Sequence, residues 1–441
     1  MAEADRISLL PLEIKISVLS RLRVKDAVRT SALSHSWHHV WTLLPCLRLH
    51  SLKDRLGLGK HTDFGFDSIW MERVHHLVSS LRGPILHFQL FYGYPNQQSA
   101  PLLQRLLDLL LQKGGVERLQ LCNFNSPRCH EVICLPCFST VKILSLWGCH
   151  LVLPTGFCGF NGLTDLSLVD TQISNDDFNL LIHTSSNLTS SVRLSIASKD
   201  PISVNLSFPL LRHLIFFLTD SVETVSLTSA PCLEKACIFF DRSLINSTSE
   251  KLARIILGLV TSVAMVSSLT LGSHSLKYFS LVPLPFNFTF SRLRFLKFFV
   301  NIDAMDKRMY DAFLWLLRSM PFLEELEIEL WGDDSSQTNG VAILMRELLA
   351  KKHDGFACLD RTLRSVTIDM YKLEVTANIT MIQFFLLNAK VLKELKIAYA
   401  TGAEVMPSMI EDLQKLEIIS SDAKVVIFDR IKEKKKNLFC V

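Results

Sequence analysis

The chain has 441 residues, 49% of them hydrophobic and 20% charged, with a mean hydropathy of +0.27. That composition excludes a disordered chain and leaves space for about three domains or one long repeat array. Residues 1–50 carry a net charge of +3 and residues 430–436 one of +4, so within a total of +4 the body between them is −3. Such a body tracks phosphates poorly, and nucleic acid is not an expected partner. The longest weakly polar run, residues 255–266, falls well short of the roughly 20 residues that cross a bilayer. The first residues, with Glu3, Asp5 and Arg6, lack a secretory pattern. No membrane is expected as a partner, and the compartment reads as cytoplasmic or nuclear.

In chain order, apolar residues first recur at Ile7, Leu10, Ile14, Val18 and Leu22 in steps of three or four, with Leu19 widening the stripe. This is the period of an amphipathic helix, with Pro11 suited to its first turn and Glu13 to its positive end. Asp26 is expected to cap a second helix through Val28 and Leu33, and Ser34 a third that carries Trp37 and Trp41. A unit of fewer than about 45 residues buries little of its own surface, so some of this apolar material should meet a partner. The alternative is that it caps the open end of the next domain.

The run from Asp5 to Ile14, then Val18 to Leu22, Lys25 to Ser34, and Trp37 with Trp41 resembles the F-box of plant F-box proteins. Arg23 stands where that family usually has proline, and His35, Ser36 and His38 replace basic residues around the tryptophan. The resemblance implies a three-helix module docking on a Skp-type adaptor, and through it on a cullin. By position, the implied adaptor contacts are Leu10, Pro11, Ile14, Leu19, Leu22, Val28, Leu33 and Trp37.

Downstream, Cys129, His130, Cys134 and Cys137 form the single close metal-like cluster, without the second pair that zinc would need. The eleven cysteines read instead as reduced, mostly buried small side chains. No metal or other cofactor is expected.

From Val116 a pattern L-x-x-L-x-L recurs. Its fullest copy places apolar residues at Val141, Leu144, Leu146, Cys149 and Leu151, as in a leucine-rich repeat. Looser copies centre on Leu119, Leu166, Leu194, Leu214, Ala236, Leu269, Leu296, Leu326, Val366, Leu395 and Leu416, at a mean spacing of about 27 residues. Alternate residues of each L-x-L should point inward from a short strand, and stacked strands should form one solenoid with a parallel sheet. Helices are expected over residues 306–319, 341–349 and 379–387. The segments Cys358–Leu359, 363–368 and 384–397 resemble the FBD module of plant F-box proteins.

The search for catalytic patterns finds no G-x-S-x-G, H-E-x-x-H or Walker loop. The nearest approach, residues 57–61, lacks the Ser or Thr after lysine. No catalytic residue is expected, and the basic tail reads as a solvated end. The fold class expected is α/β: an N-terminal three-helix F-box, then a leucine-rich-repeat solenoid with a curved parallel sheet and helices on its convex side. The boundaries expected are 5–48 for the F-box, 49–100 for a helical linker and cap, and 101–350 for the repeats. The FBD module with final repeats takes 351–420, and a terminal strand and basic tail take 421–441. The implied function is substrate recognition for an SCF-type ubiquitin ligase, the repeats holding a target protein whose identity the residues do not specify. The competing readings are an adaptor-independent scaffold and a ligand-binding protein.

Overall fold

A side chain that alternates with period two has one face to bury, and stacking such strands in parallel buries that face rung upon rung. A computed structural model of the chain follows this rule. It describes residues 7–50, 68–93, 99–123, 131–198, 200–241, 244, 248–301, 306–331, 355–371, 375–399 and 418–429. The chain divides into two compact units, residues 1–211 with 219–224, and residues 212–218 with 225–441.

The first unit opens with two short helices, α1 (Leu12–Leu19) and α2 (Val24–Arg29), and two 3-10 turns, Thr30–Ala32 and Val40–Leu43. Two expectations change here. The second helix is capped by Arg23, and Asp26 sits inside its first turn. The expected third helix is replaced by turns and the Val40–Leu43 segment, because Trp37 and Val40 are drawn into the module's core and hold the chain there. The strands are β1 (Cys46–His50), β2 (His87–Tyr92), β3 (Arg118–Asn123), β4 (Glu131–Cys134), β5 (Ile143–Trp147), β6 (Cys149–Val152), β7 (Asp165–Ile173), β8 (Ser191–Ala197) and β9 (Ile202–Ser207). Three longer helices join them: α3 (Ser68–Ser80), α4 (Ser99–Lys113) and α5 (Asn175–Thr184).

Strands β1, β2, β3, β5, β7 and β8 pair in parallel, and their inward residues form one rung: Leu47, Phe88, Leu119, Leu144, Leu166 and Val192. All six are buried. Two strands therefore precede the repeats expected from Val116 onward, and they carry the same spacing, Leu44, Leu47 and Leu49 leading into β1 and Ile85, Phe88 and Leu90 leading into β2. The rung on β8 is held by Val192. Leu194 pairs with Leu168, two residues along and on the same buried face, so the sequence finds the face and misses the register. The copy at Val141, Leu144, Leu146, Cys149 and Leu151 buries all five of its apolar positions. At the end of β3, the buried Asn123 donates from Nδ2 to the Gly148 carbonyl at 3.1 Å, and so satisfies a turn that leaves the sheet.

The second unit contains β10 (His213–Leu218), β12 (Lys235–Phe240), β13 (Ser268–Leu271), β14 (Phe295–Asn301), β15 (Glu325–Trp331), β16 (Ser365–Tyr371), β17 (Glu394–Tyr399) and β18 (Lys424–Asp429), while β11 (Val222–Ser229) spans the division between units. These eight strands also pair in parallel. Their rung runs Leu214, Ala236, Leu269, Leu296, Leu326, Val366, Leu395 and Val425, and all but Val425 are buried. Seven of these residues coincide with expected anchors. The expected Leu416 lies outside the described residues, as do the 341–349 helix, Cys129, His130, residues 57–61 and the basic tail.

Helices α6 (Glu250–Ser262), α7 (Ser275–Phe279), α8 (Lys307–Arg318), α9 (Ala357–Arg361) and α10 (Val375–Asn388) lie between these strands. The expected 306–319 helix is α8, whose N-cap Asp306 accepts from the Met309 amide at 2.8 Å. Its Phe313 ring lies 6.0 Å from Phe298 of β14 and 5.5 Å from Phe384 of α10, so the helices cover the inward side of this sheet. The other side of each strand carries the alternate residues, among them the half-buried Lys297, Glu327 and Glu329 and the buried Asp369 and Ala398.

Candidate functional site

The N-terminal module solves a packing problem before it offers a surface. Leu19, Ala27, Trp37, Val40 and Leu44 form its core, with Ile16 and Trp41 packed against it. Lys15 is also drawn in. Its ammonium donates to the Ser8 carbonyl at 2.8 Å and stands 5.4 Å from the Trp37 ring centroid, so the charge is held by an oxygen dipole and a π face. Ser8 and Ser34 hydroxyls meet at 2.9 Å and tie the segment before α1 to the turn after α2.

With that core complete, the remaining apolar side chains face outward. Ile7, Leu9, Leu12, Ile14, Val18, Leu22 and Leu33 are all exposed, Leu9 to 76% and Leu33 to 68%. They are seven of the nineteen exposed large apolar side chains among the described residues, which concentrates unburied apolar surface in one short segment. Helix α1 is therefore apolar on two sides, with Lys15 and Leu19 toward the core and Leu12, Ile14 and Val18 toward solvent.

The eight residues implied by the F-box resemblance divide between these sides. Pro11, Ile14, Leu22 and Leu33 are exposed, and Leu10 and Val28 half-buried. Leu19 (1% exposed) and Trp37 (3%) belong to the internal core and shape the face from behind. Leu9 and Leu12 fall off the helical spacing and were not singled out, although both expose apolar surface. Their signal is their bulk on either side of Pro11.

Chemistry of other kinds finds little footing. Among the described residues, no three His, Cys, Asp or Glu side chains are grouped to hold a metal ion. Cys46 Sγ lies 3.3 Å from His87 Nδ1, but burial pushes the thiol above its ordinary range against the opposing charges of Arg118 and Arg48. A thiol kept protonated is a poor nucleophile. The nine described cysteines are all free thiols: Cys122, Cys149 and Cys358 are buried, and Cys158 and Cys232 are exposed. No helix among the described residues is long and apolar enough to cross a membrane.

A small helical module with a complete core and an uncovered apolar side, followed by parallel repeat strands, defines the class of F-box and leucine-rich-repeat proteins. The F-box domain family matches residues 7–49, and the family described as FBD-associated F-box protein At5g56370, LRR repeats, matches residues 103–328, just over half of the chain. The chain belongs to this family of FBD-associated F-box proteins. Among its relatives in Arabidopsis thaliana, the putative F-box/FBD/LRR-repeat protein At5g44960 is 22% identical over 97% of this chain and 100% of its own length. F-box/FBD/LRR-repeat protein At1g13570 is 29% identical over 52% of each chain. The putative F-box/FBD/LRR-repeat protein At5g52460 is 49% identical over 47 residues, 11% of this chain and 12% of its own.

Proposed function

We propose that this chain is a substrate-receptor subunit of an SCF-type ubiquitin ligase. Its F-box binds a Skp-type adaptor, which links it to a cullin, and its repeat units bind a target protein. Pro11, Ile14, Leu22 and Leu33 make the apolar contacts directly, Leu10 and Val28 through their exposed parts, and Leu19 and Trp37 hold the face in shape. The FBD module together with the final repeats takes residues 351–420. The chain acts in the cytoplasm or nucleus. It contributes proximity, holding the target near a ubiquitin-charged partner so that transfer becomes effectively intramolecular, and performs no bond chemistry itself.

The observation that carries this reading is the concentration of exposed apolar side chains on a module whose own core is already filled. Apolar anchors dominate interface energetics, and a face left open after core packing is complete is surface available to a partner. The test pairs an adaptor pull-down with thermal unfolding for the wild type and for Ile14→Ala with Leu33→Ala. Loss of anchors worth about 2 kcal/mol corresponds to a roughly thirtyfold weaker complex at unchanged unfolding temperature. A wild type that binds no Skp-type adaptor, together with a lowered unfolding temperature in the variant, would overturn the proposal in favour of a capped scaffold.

A further inference from the structure

The first unit's sheet has a second side, opposite the buried rung of Leu47, Phe88 and Leu119. Register lines up Arg48, Gln89, Gln120, Ser145, Ser167 and Arg193 there, across β1, β2, β3, β5, β7 and β8. At about 4.8 Å per strand the row is about 24 Å long, the reach of roughly seven residues of extended chain. Every side chain in it can hydrogen-bond, its two ends are cationic, and none is acidic. Arg48 and Arg193 are exposed, and Gln120, Ser145 and Ser167 are half-buried. The buried Gln89 accepts at Oε1 from Arg48 Nε at 2.7 Å, which ties that guanidinium to the row.

Arg118 adds a third guanidinium one pleat back, beside His87. Its Nε is buried without a hydrogen-bond acceptor, so part of this cation has given up water with no partner in exchange. Strands β1, β2 and β3 hold Arg48 and Arg118 and no acidic residue. Among the described residues, none of the three arginines forms an ion pair with a carboxylate. The two carboxylates of β7 have other partners: Asp165 accepts from the Thr164 hydroxyl at 2.8 Å, and Asp170 from Trp147 Nε1 at 3.3 Å and the Ser195 hydroxyl at 3.4 Å. One pleat forward of the row, Trp147 is 40% exposed, its indole held by that bond to Asp170. Arginine and tryptophan are side chains that commonly dominate an interface, and here they share one side of one sheet.

We infer that this side of the first unit's sheet receives an extended segment of the target protein that carries Asp or Glu side chains. The inference rests on the substrate-receptor reading and specifies its partner. An incoming carboxylate neutralises guanidinium charge that the fold leaves unpaired, and the planar fork of arginine favours a two-oxygen contact. Gln120, Ser145 and Ser167 hydrogen-bond polar groups of the segment between its acidic residues, and Trp147 gives it apolar contact. Three guanidiniums spread along the row, on a body of net negative charge, suit spaced carboxylates better than a run of phosphates.

The full-length chain is titrated with two fluorescent 12-residue peptides of matched Gly, Ser and Tyr content, one with four glutamates and the other with four lysines. The glutamate peptide binds and the lysine peptide does not. Arg48→Gln with Arg193→Gln weakens the glutamate peptide about tenfold or more at unchanged unfolding temperature, because both side chains are exposed. Trp147→Ala weakens it as well. Arg212→Gln with Arg254→Gln, which removes the same charge at arginines already paired with Glu234 and Glu250, leaves it unchanged. Equal binding of both peptides, no binding of the glutamate peptide, or wild-type affinity in the Arg48/Arg193 or Trp147 variant would overturn the inference. So would an equal loss in the Arg212/Arg254 variant, or an oligothymidine of 12 nucleotides that binds as tightly as the glutamate peptide. Adaptor pull-down on the same variants stays at the wild-type level, so failure of this surface and failure of the receptor reading are told apart.

Discussion

Lys15 and Trp37 meet in the interior of the N-terminal module, the ammonium 5.4 Å from the ring centroid and bonded to the Ser8 carbonyl. The pair joins α1 to the turns that follow α2, and it explains why a lysine is tolerated at a core position. Trp37→Ala removes the ring together with the π face under the charge, and should cost the module about 3–5 kcal/mol. Limited proteolysis should then cleave the variant within residues 7–44 while the repeat units stay resistant. Unchanged resistance of the module would contradict the packing.

Leu144 and Leu395 occupy the same rung position in the two units and are both buried. Leu144→Asp or Leu395→Asp places a carboxylate among apolar neighbours, where burying the charge costs far more than the lost packing. Each variant should be insoluble or lack a cooperative transition in calorimetry. A sharp transition near the wild-type temperature would show that the register is misassigned.

Gly159 and Gly156 make a paired test. Both have positive φ, +85° and +78°, but a Cβ at Gly159 would run into Thr184, including its carbonyl oxygen, whereas one at Gly156 meets nothing within 4 Å. Gly156→Ala should lower stability by about 1 kcal/mol through backbone strain alone. Gly159→Ala should lower it by clearly more, and the difference in denaturant midpoint measures the clash. Equal midpoints would contradict the close approach to Thr184.

Cys358 donates from Sγ to the Leu317 carbonyl at 3.3 Å, and burial pushes its thiol up to about 12, from an ordinary value of 9.0. Burial, with the charge of Asp311, likewise raises the Tyr310 phenol to about 12 from 10.0. Raised values favour the protonated, folded form. Their stabilisation is therefore complete below about pH 9 and is lost as pH climbs toward 12, while the unfolded chain ionises first. Equilibrium denaturation between pH 8 and 11 should show stability falling across that window. Alkylation at pH 8 should modify Cys158 and Cys232 and spare Cys358, and mass spectrometry of the labelled peptides decides this.

Strand and helix identities were legible because burial writes a period into the residues. The L-x-L pairs mark inward positions on both units' sheets, and Met309, Phe313, Leu316 and Leu317 mark the buried side of α8. The same spacing runs ahead of Val116, at Leu44, Leu47 and Leu49 and at Ile85, Phe88 and Leu90, all buried, so β1 and β2 were legible in the residues as well. Period two fixes a face and leaves register open, which is why Leu194 was read as a rung that Val192 occupies.

The sequence by itself determined the module-plus-repeat order, the α/β class and the residues of the F-box resemblance, since each rests on local spacing. Only the tertiary structure decided which apolar residues of residues 7–44 are spent on the core and which remain outside. Leu19 and Leu22 are both on the apolar stripe, yet one is buried and the other exposed. The same holds for the surroundings of Lys297, which reaches Glu327 and Glu329 on the next strand and the Phe299 ring on its own. Lys297, Glu327, Glu329, Phe239 and Phe299 are scattered over three strands, and parallel pairing across long connections brings them to one surface. No local spacing records that pairing, because hydrogen bonds between strands depend on the positions of whole elements and not on neighbouring residues in the chain.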